Sequence, residues 1–231
     1  MDTARFQSKV VSRIARTVGV SLGAIALLAT LANTSSAIPL AAGSSVFSMG
    51  EADPTGGVSV ISLTQPFVAA TFSGKLTSEV LSGDPDNPWV LLGGLTFTYL
   101  IENDASSPHA IGRLTIDDFS GFLTDVNFQT PVGAGVAPAF FDRSSGAGDV
   151  VGFTFFGAPV GAGQIAAGSS SAKLVIQTSS TVWRPTTASI IDGSVATAAS
   201  FAPIPEPSTL VLGGLGLVGL AAFALRRRTS R

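Results

Sequence analysis

One histidine, no cysteine and fourteen carboxylates between residues 38 and 207 bound the chemistry open to this chain. His109 sits in SSPHA, a stretch with the composition of a loop. A Ser-His-Asp triad needs an imidazole base, so it would have to use His109. No GxSxG elbow accompanies it. One His without Cys cannot supply a three-histidine or thiolate zinc site within one chain. The lack of Cys also removes disulfides and thiol nucleophiles. Glycoside hydrolysis needs two carboxylates at a set separation. The adjacent Asp117 and Asp118 do not fit if they lie on a strand, where neighbours face opposite ways. Asp84, Asp86 and Asn87 share one turn, and Glu102 and Asp104 another. Such oxygen-rich loops can take calcium, which accepts flexible geometry. These residues are weak candidates, because DPDNP lacks the ligand spacing of an EF-hand and Asp, Asn and Pro make turns without any ion. Trp89, Trp183 and Tyr99 could form a sugar-stacking platform, or serve as packing. The residues themselves therefore point to a protein that is not an enzyme and carries no cofactor.

The elements that would position these residues read as strands. In LTFTYLI, Leu95, Phe97, Tyr99 and Ile101 share one side, with Thr96 and Thr98 on the other. In FLTDVNF, Phe122, Thr124, Val126 and Phe128 oppose Asp125 and Asn127. VVGFTFF and AKLVIQT alternate in the same way, and further strands are expected at 58–63, 67–81 (bent at Gly74), 113–116 and 189–195. Turn-forming runs separate them at 53–57, 82–88, 102–108 and 143–149. Many short strands without a helical stripe predict an all-β domain over 38–202, a β-sandwich or jelly-roll-like fold.

The two ends of the chain differ from its middle. Residues 1–37 carry a balance of +3 and residues 208–231 a balance of +4, whereas 38–207 hold five bases and fourteen acids, a balance of −9. That acidic middle argues against nucleic acid as a partner, since phosphate binding needs clustered Lys and Arg. A basic start, the apolar run Val18–Leu31 and small residues Ser35 and Ala37 at the −3 and −1 positions make a secretory signal peptide. Cleavage is expected after Ala37, by signal peptidase on the general secretory route. Near the other end, Leu210–Leu225 is a second apolar run, which Ser208 and Thr209 can extend to a span of 208–225. Arg226, Arg227 and Arg228 follow it and would stay cytoplasmic, stopping transfer through the inner membrane. Just outside lies Pro205-Glu206-Pro207, a stiff extended strip with one carboxylate.

The order Pro205-Glu206-Pro207, apolar run, Arg226–Arg228 resembles the PEP-CTERM sorting signal. The resemblance covers residues 203–231. It implies recognition by an exosortase, a membrane-embedded protease or transpeptidase of Gram-negative bacteria that make extracellular polysaccharide. It also implies cleavage near the tripeptide and delivery of the domain to the cell surface or extracellular matrix. Glu206 is then a recognition element and the exosortase supplies the chemistry. The succession TFTYLIEND, RLTIDDFSGFLTDV, VVGFTFF and GSSSAKLVIQT is similar to the middles of other PEP-CTERM proteins, which implies an all-β exported domain. The expectation is a structural or adhesive protein of an exopolysaccharide or biofilm matrix. A carbohydrate-binding module is the alternative, and an extracellular hydrolase a third.

Overall fold

Alternating side chains become strands, and the strands become two sheets around one core. The computed structural model describes residues 39–48, 50–52, 57–130, 135–157 and 163–204. The signal-peptide region with Ser35 and Ala37, the Pro205-Glu206-Pro207 strip, the 208–225 span and Arg226–Arg228 lie outside the described residues. Among the described residues twelve strands are seen: β1 (Ser45–Phe47), β2 (Gly50–Ala52), β3 (Val58–Val68), β4 (Ser73–Ser82), β5 (Thr96–Asn103), β6 (Arg113–Ile116), β7 (Thr124–Thr130), β8 (Phe140–Arg143), β9 (Val151–Thr154), β10 (Leu174–Thr178), β11 (Trp183–Asp192) and β12 (Ser194–Pro203). One sheet runs β1-β8-β9-β6-β11-β12 and the other β2-β7-β10-β5-β4-β3. Pairing is antiparallel except between β2 and β7. The helical content of the described residues is a single 3-10 turn at Val90–Leu92.

The inward positions are those that alternation predicts. Phe97, Tyr99 and Ile101 of β5, Val126 and Phe128 of β7, and Leu174 and Ile176 of β10 come from one sheet. Leu114 and Ile116 of β6, Phe141 of β8, Val151 and Phe153 of β9, and Ile190 of β11 come from the other. All belong to one apolar cluster, in which Phe141 meets Phe153 edge to face at 5.6 Å. Each such side chain contributes about 1.5–3 kcal/mol by leaving water. The result is an all-β sandwich. Its path is a β3-β4-β5 meander with β8–β9 and β11–β12 hairpins, while β10 returns to lie between β5 and β7 and β11 returns to lie beside β6.

Two of the expected strands, 67–81 and 189–195, are divided by turns. The expected bend at Gly74 is instead a full reversal before it: β3 ends at Val68 and β4 begins at Ser73, with the Ala69 N–H donating to Phe72 O at 2.8 Å. Gly74 lies inside β4 because a Cβ there would come within 2.0 Å of Glu102 O on the neighbouring strand. The expected strand at 189–195 is the tip of the β11–β12 hairpin, which turns at Gly193 with φ of +65°. Left-handed backbone of this kind suits glycine, which has no Cβ to clash.

The sandwich has two unlike ends. The chain enters at one end, where Pro39 bridges to Asp125 and the Leu40 N–H donates to Thr124 O at 2.9 Å. It leaves at the same end, where β12 finishes beside the start of β11. The opposite end carries the β3–β4 and β11–β12 turns. There the Thr71 hydroxyl bonds Asp192 O at 3.2 Å and Ser194 Oγ at 2.6 Å.

Candidate functional site

The exit of the chain is held by its last strand. Trp183 pairs with Pro203, and the Ile204 N–H donates to Val182 O at 3.2 Å. That bond fixes the alternation of the antiparallel ladder. Residues 182 and 204 form a hydrogen-bonded pair, so 183–203 and 185–201 are non-hydrogen-bonded pairs. Pro203 and Pro185 therefore sit where a missing N–H costs the β11–β12 ladder nothing. Phe201 O then points to the open edge of β12, where the Tyr99 hydroxyl donates to it at 2.8 Å. The Trp183 ring meets Phe201 edge to face at 5.2 Å, and Ser78 Oγ lies 2.9 Å from Ser200 Oγ. These contacts tie both sheets to the strand from which the carboxyl-terminal segment departs.

Those contacts also redefine the aromatic candidates. Tyr99 is buried, and burial pushes its pKa well above the ordinary tyrosine value. It cannot stack on a sugar, because its ring lies in the core and its hydroxyl is committed to Phe201 O. Trp183 packs against Phe201, and Trp89 leads into the 3-10 turn. The structure does not bring the three together as an open platform.

The acidic turns are placed by hydrogen bonds. Asp84 and Asn87 are buried. Asp84 Oδ1 accepts the Asp86 N–H at 3.1 Å, and Oδ2 accepts the Thr96 hydroxyl at 2.6 Å and Gln177 Nε2 at 3.4 Å. Asn87 Oδ1 accepts the Trp89 N–H at 2.8 Å, while Nδ2 donates to Thr96 Oγ1. This is Asx-turn chemistry that clamps the β4–β5 connection. Asp104 accepts the Ser73 hydroxyl at 2.7 Å, and Glu102 is exposed on β5. The two groups stand at opposite ends of the β4–β5 pair, about 25 Å apart at 3.3 Å per residue. Among the described residues no three or more His, Cys, Asp or Glu side chains gather to hold a metal ion.

His109 is 55% exposed, and its Nδ1 lies 3.8 Å from Asp192 Oδ2. Asp192 also accepts Gln164 Nε2 at 2.7 Å. Sequence separation hid this His-Asp proximity, which the Thr71 link between the two hairpin turns creates. Asp117 and Asp118 follow β6 rather than lying on it. Asp118 adopts φ of +79° and accepts Arg184 at 2.5 Å and Thr186 at 2.6 Å. Burial, then Asp149, then Asp118 push the Asp117 carboxyl above its ordinary pKa. The buried cation Arg143 gave no signal in the sequence. It donates to the carbonyls of Gly148, Leu40, Phe119 and Phe122 and to Thr124 Oγ1, locking the entry end.

Residues 203–228, beginning with the last residue of β12, match the family model described as the PEP-CTERM protein-sorting motif. The chain carries a PEP-CTERM sorting signal. The motif implies processing by an exosortase and export to the cell envelope or surface. Neither the curated proteins nor the solved structures include a match to this chain. Among the described residues no helix is long and apolar enough to cross a membrane, and the span expected at 208–225 falls outside them. The sorting signal and the all-β sandwich thus meet at Pro203 and Ile204, the two motif residues that the fold itself holds.

Proposed function

We propose that this chain is a non-enzymatic exported protein whose β-sandwich serves a structural or adhesive role in the extracellular matrix. The observation that carries the reading is the PEP-CTERM motif at residues 203–228, rooted directly on β12. Signal peptidase removes residues 1–37, the 208–225 span holds the domain at the outer face of the inner membrane, and the exosortase cuts near Pro205-Glu206-Pro207. The released domain, with its acidic balance, remains soluble and takes part in ionic bridging within a polysaccharide matrix. The polar residues support a structural reading. Asp118 and Asp142 each pair with an arginine, and Asp84 holds a turn. Deletion of the gene tests the role. Matrix mass and cohesion should fall, and the chain restored in trans should recover them. A deletion strain with unchanged matrix would overturn the structural role while leaving the sorting signal intact.

A further inference from the structure

The exit end of the sandwich displays apolar side chains on its loops. Leu91 and Leu92, in the 3-10 turn, are 97% and 73% exposed. Val182 and Leu123 are exposed beside them. Hydrogen bonds join these loops: Leu95 N–H to Ser180 O at 2.8 Å, Ser179 N–H to Leu123 O at 3.1 Å, and Ile204 N–H to Val182 O at 3.2 Å. The opposite end exposes Phe47, Val68, Phe156 and Val195. What sets the exit end apart is the covalent chain. Entry at Pro39 and departure at Ile204 both lie there, so the segments read as membrane-directed attach to this end. Five residues, Pro205–Thr209, separate Ile204 from the apolar run that starts at Leu210. Fully extended they reach about 17 Å. A domain on so short a tether cannot turn its exit end away from the bilayer.

We infer that, before processing, the Leu91–Leu92 turn docks into the outer surface of the bilayer that holds the carboxyl-terminal segment. The occupant is lipid, at the boundary of headgroup and acyl chain, where exposed leucines leave water. Docking presents the Pro205-Glu206-Pro207 strip at a fixed height above the membrane, within reach of a membrane-embedded protease. This inference rests on the sorting reading above.

The absence of cysteine makes single labels unambiguous. The full chain is reconstituted in vesicles of phosphatidylethanolamine with a minor share of phosphatidylglycerol and an acyl-chain nitroxide quencher. An environment-sensitive fluorophore is placed at Leu91→Cys, at Val195→Cys and, separately, at Ala222→Cys. Quenching at positions 91 and 222 but not at 195 is the expected result. In the Leu91→Cys chain, adding Leu92→Ser should lower the ratio of docked to undocked domain about tenfold. Quenching at 222 with positions 91 and 195 equally unquenched would overturn the docking alone. A blue shift at 91 without quenching would place a second protein copy there instead of lipid, and also overturn it. No quenching at 222 would overturn the membrane-anchored reading and the docking together.

Discussion

Replacing Arg143 by Met should unfasten the entry end of the sandwich. Arg143 is buried, and its guanidinium donates five hydrogen bonds: to Gly148 O at 2.7 Å, Leu40 O at 3.1 Å, Thr124 Oγ1 at 2.8 Å, Phe119 O at 2.6 Å and Phe122 O at 3.0 Å. Burial lowers its pKa, but a guanidinium remains charged at neutral pH. Met fills much of the volume and donates nothing. Leu40 O would keep the Thr124 hydroxyl at 3.2 Å, and Phe119 O a long bond from the Phe122 N–H at 3.5 Å. The carbonyls of Gly148 and Phe122 would lose the donor that holds them. An unsatisfied buried carbonyl costs about 1–3 kcal/mol, and release of the buried charge offsets part of that. The expected loss is about 3–5 kcal/mol, a large share of the roughly 5–15 kcal/mol that stabilises a domain. Urea unfolding of the full chain in non-ionic detergent, followed by the fluorescence of its two tryptophans, reads this directly. With a slope of about 2 kcal/mol per molar urea, the midpoint should drop by about 2 M. Arg143→Lys should fall between, because it keeps the charge but not the planar fork. A loss below about 1 kcal/mol for Met would refute the reasoning, since water would then replace every bond.

Tyr99→Phe should cost about 1 kcal/mol, the worth of its bond to Phe201 O, with the same urea assay showing an unchanged slope. Gly74→Ala should destabilise by at least about 2 kcal/mol, because the new Cβ overlaps Glu102 O and β4 must move from β5; a neutral effect would contradict the register. Asp117→Asn should stabilise the domain at neutral pH. The folded-state pKa is raised, so the charged form penalises the fold above that pKa, and the gain should shrink as pH falls through it toward 3.8, where the unfolded carboxyl is itself protonated. A gain that persists or grows in acid would have the wrong sign. Millimolar calcium should leave the melting temperature unchanged, because Asp84 and Asn87 already hold the β4–β5 turn by hydrogen bonds; a rise would restore the calcium reading.

Much of the fold was legible because its strands alternate. Phe97, Tyr99 and Ile101 could be assigned to one face from LTFTYLI alone, and all three are core. The strands missed were short, such as β1 and β8, or lacked contrast. β12 reads SVATAASFAP, and its small residues disguise a ten-residue strand. The break between β3 and β4 was misplaced because glycine marks either a turn or a close approach, and Gly74 is the second. Arg143 was invisible because its partners are backbone carbonyls, which leave no trace in residue type. Tyr99 seemed available for sugar because sequence cannot distinguish an exposed ring from one whose hydroxyl reaches the opposite sheet. The sorting signal was legible in full, since its tripeptide, apolar run and arginines are contiguous and need no fold to be recognised.

The central claim is that the PEP-CTERM motif directs cleavage and release of the domain. Its most direct test is the intact mass of the protein recovered from outside native cells, compared with a strain lacking the exosortase. The account predicts a chain that begins at Ile38 and ends near Pro205–Pro207, and a tail retained in the deletion strain. A tail that persists in both strains would contradict it, and would make the chain a permanently anchored protein whose proline strip is a linker.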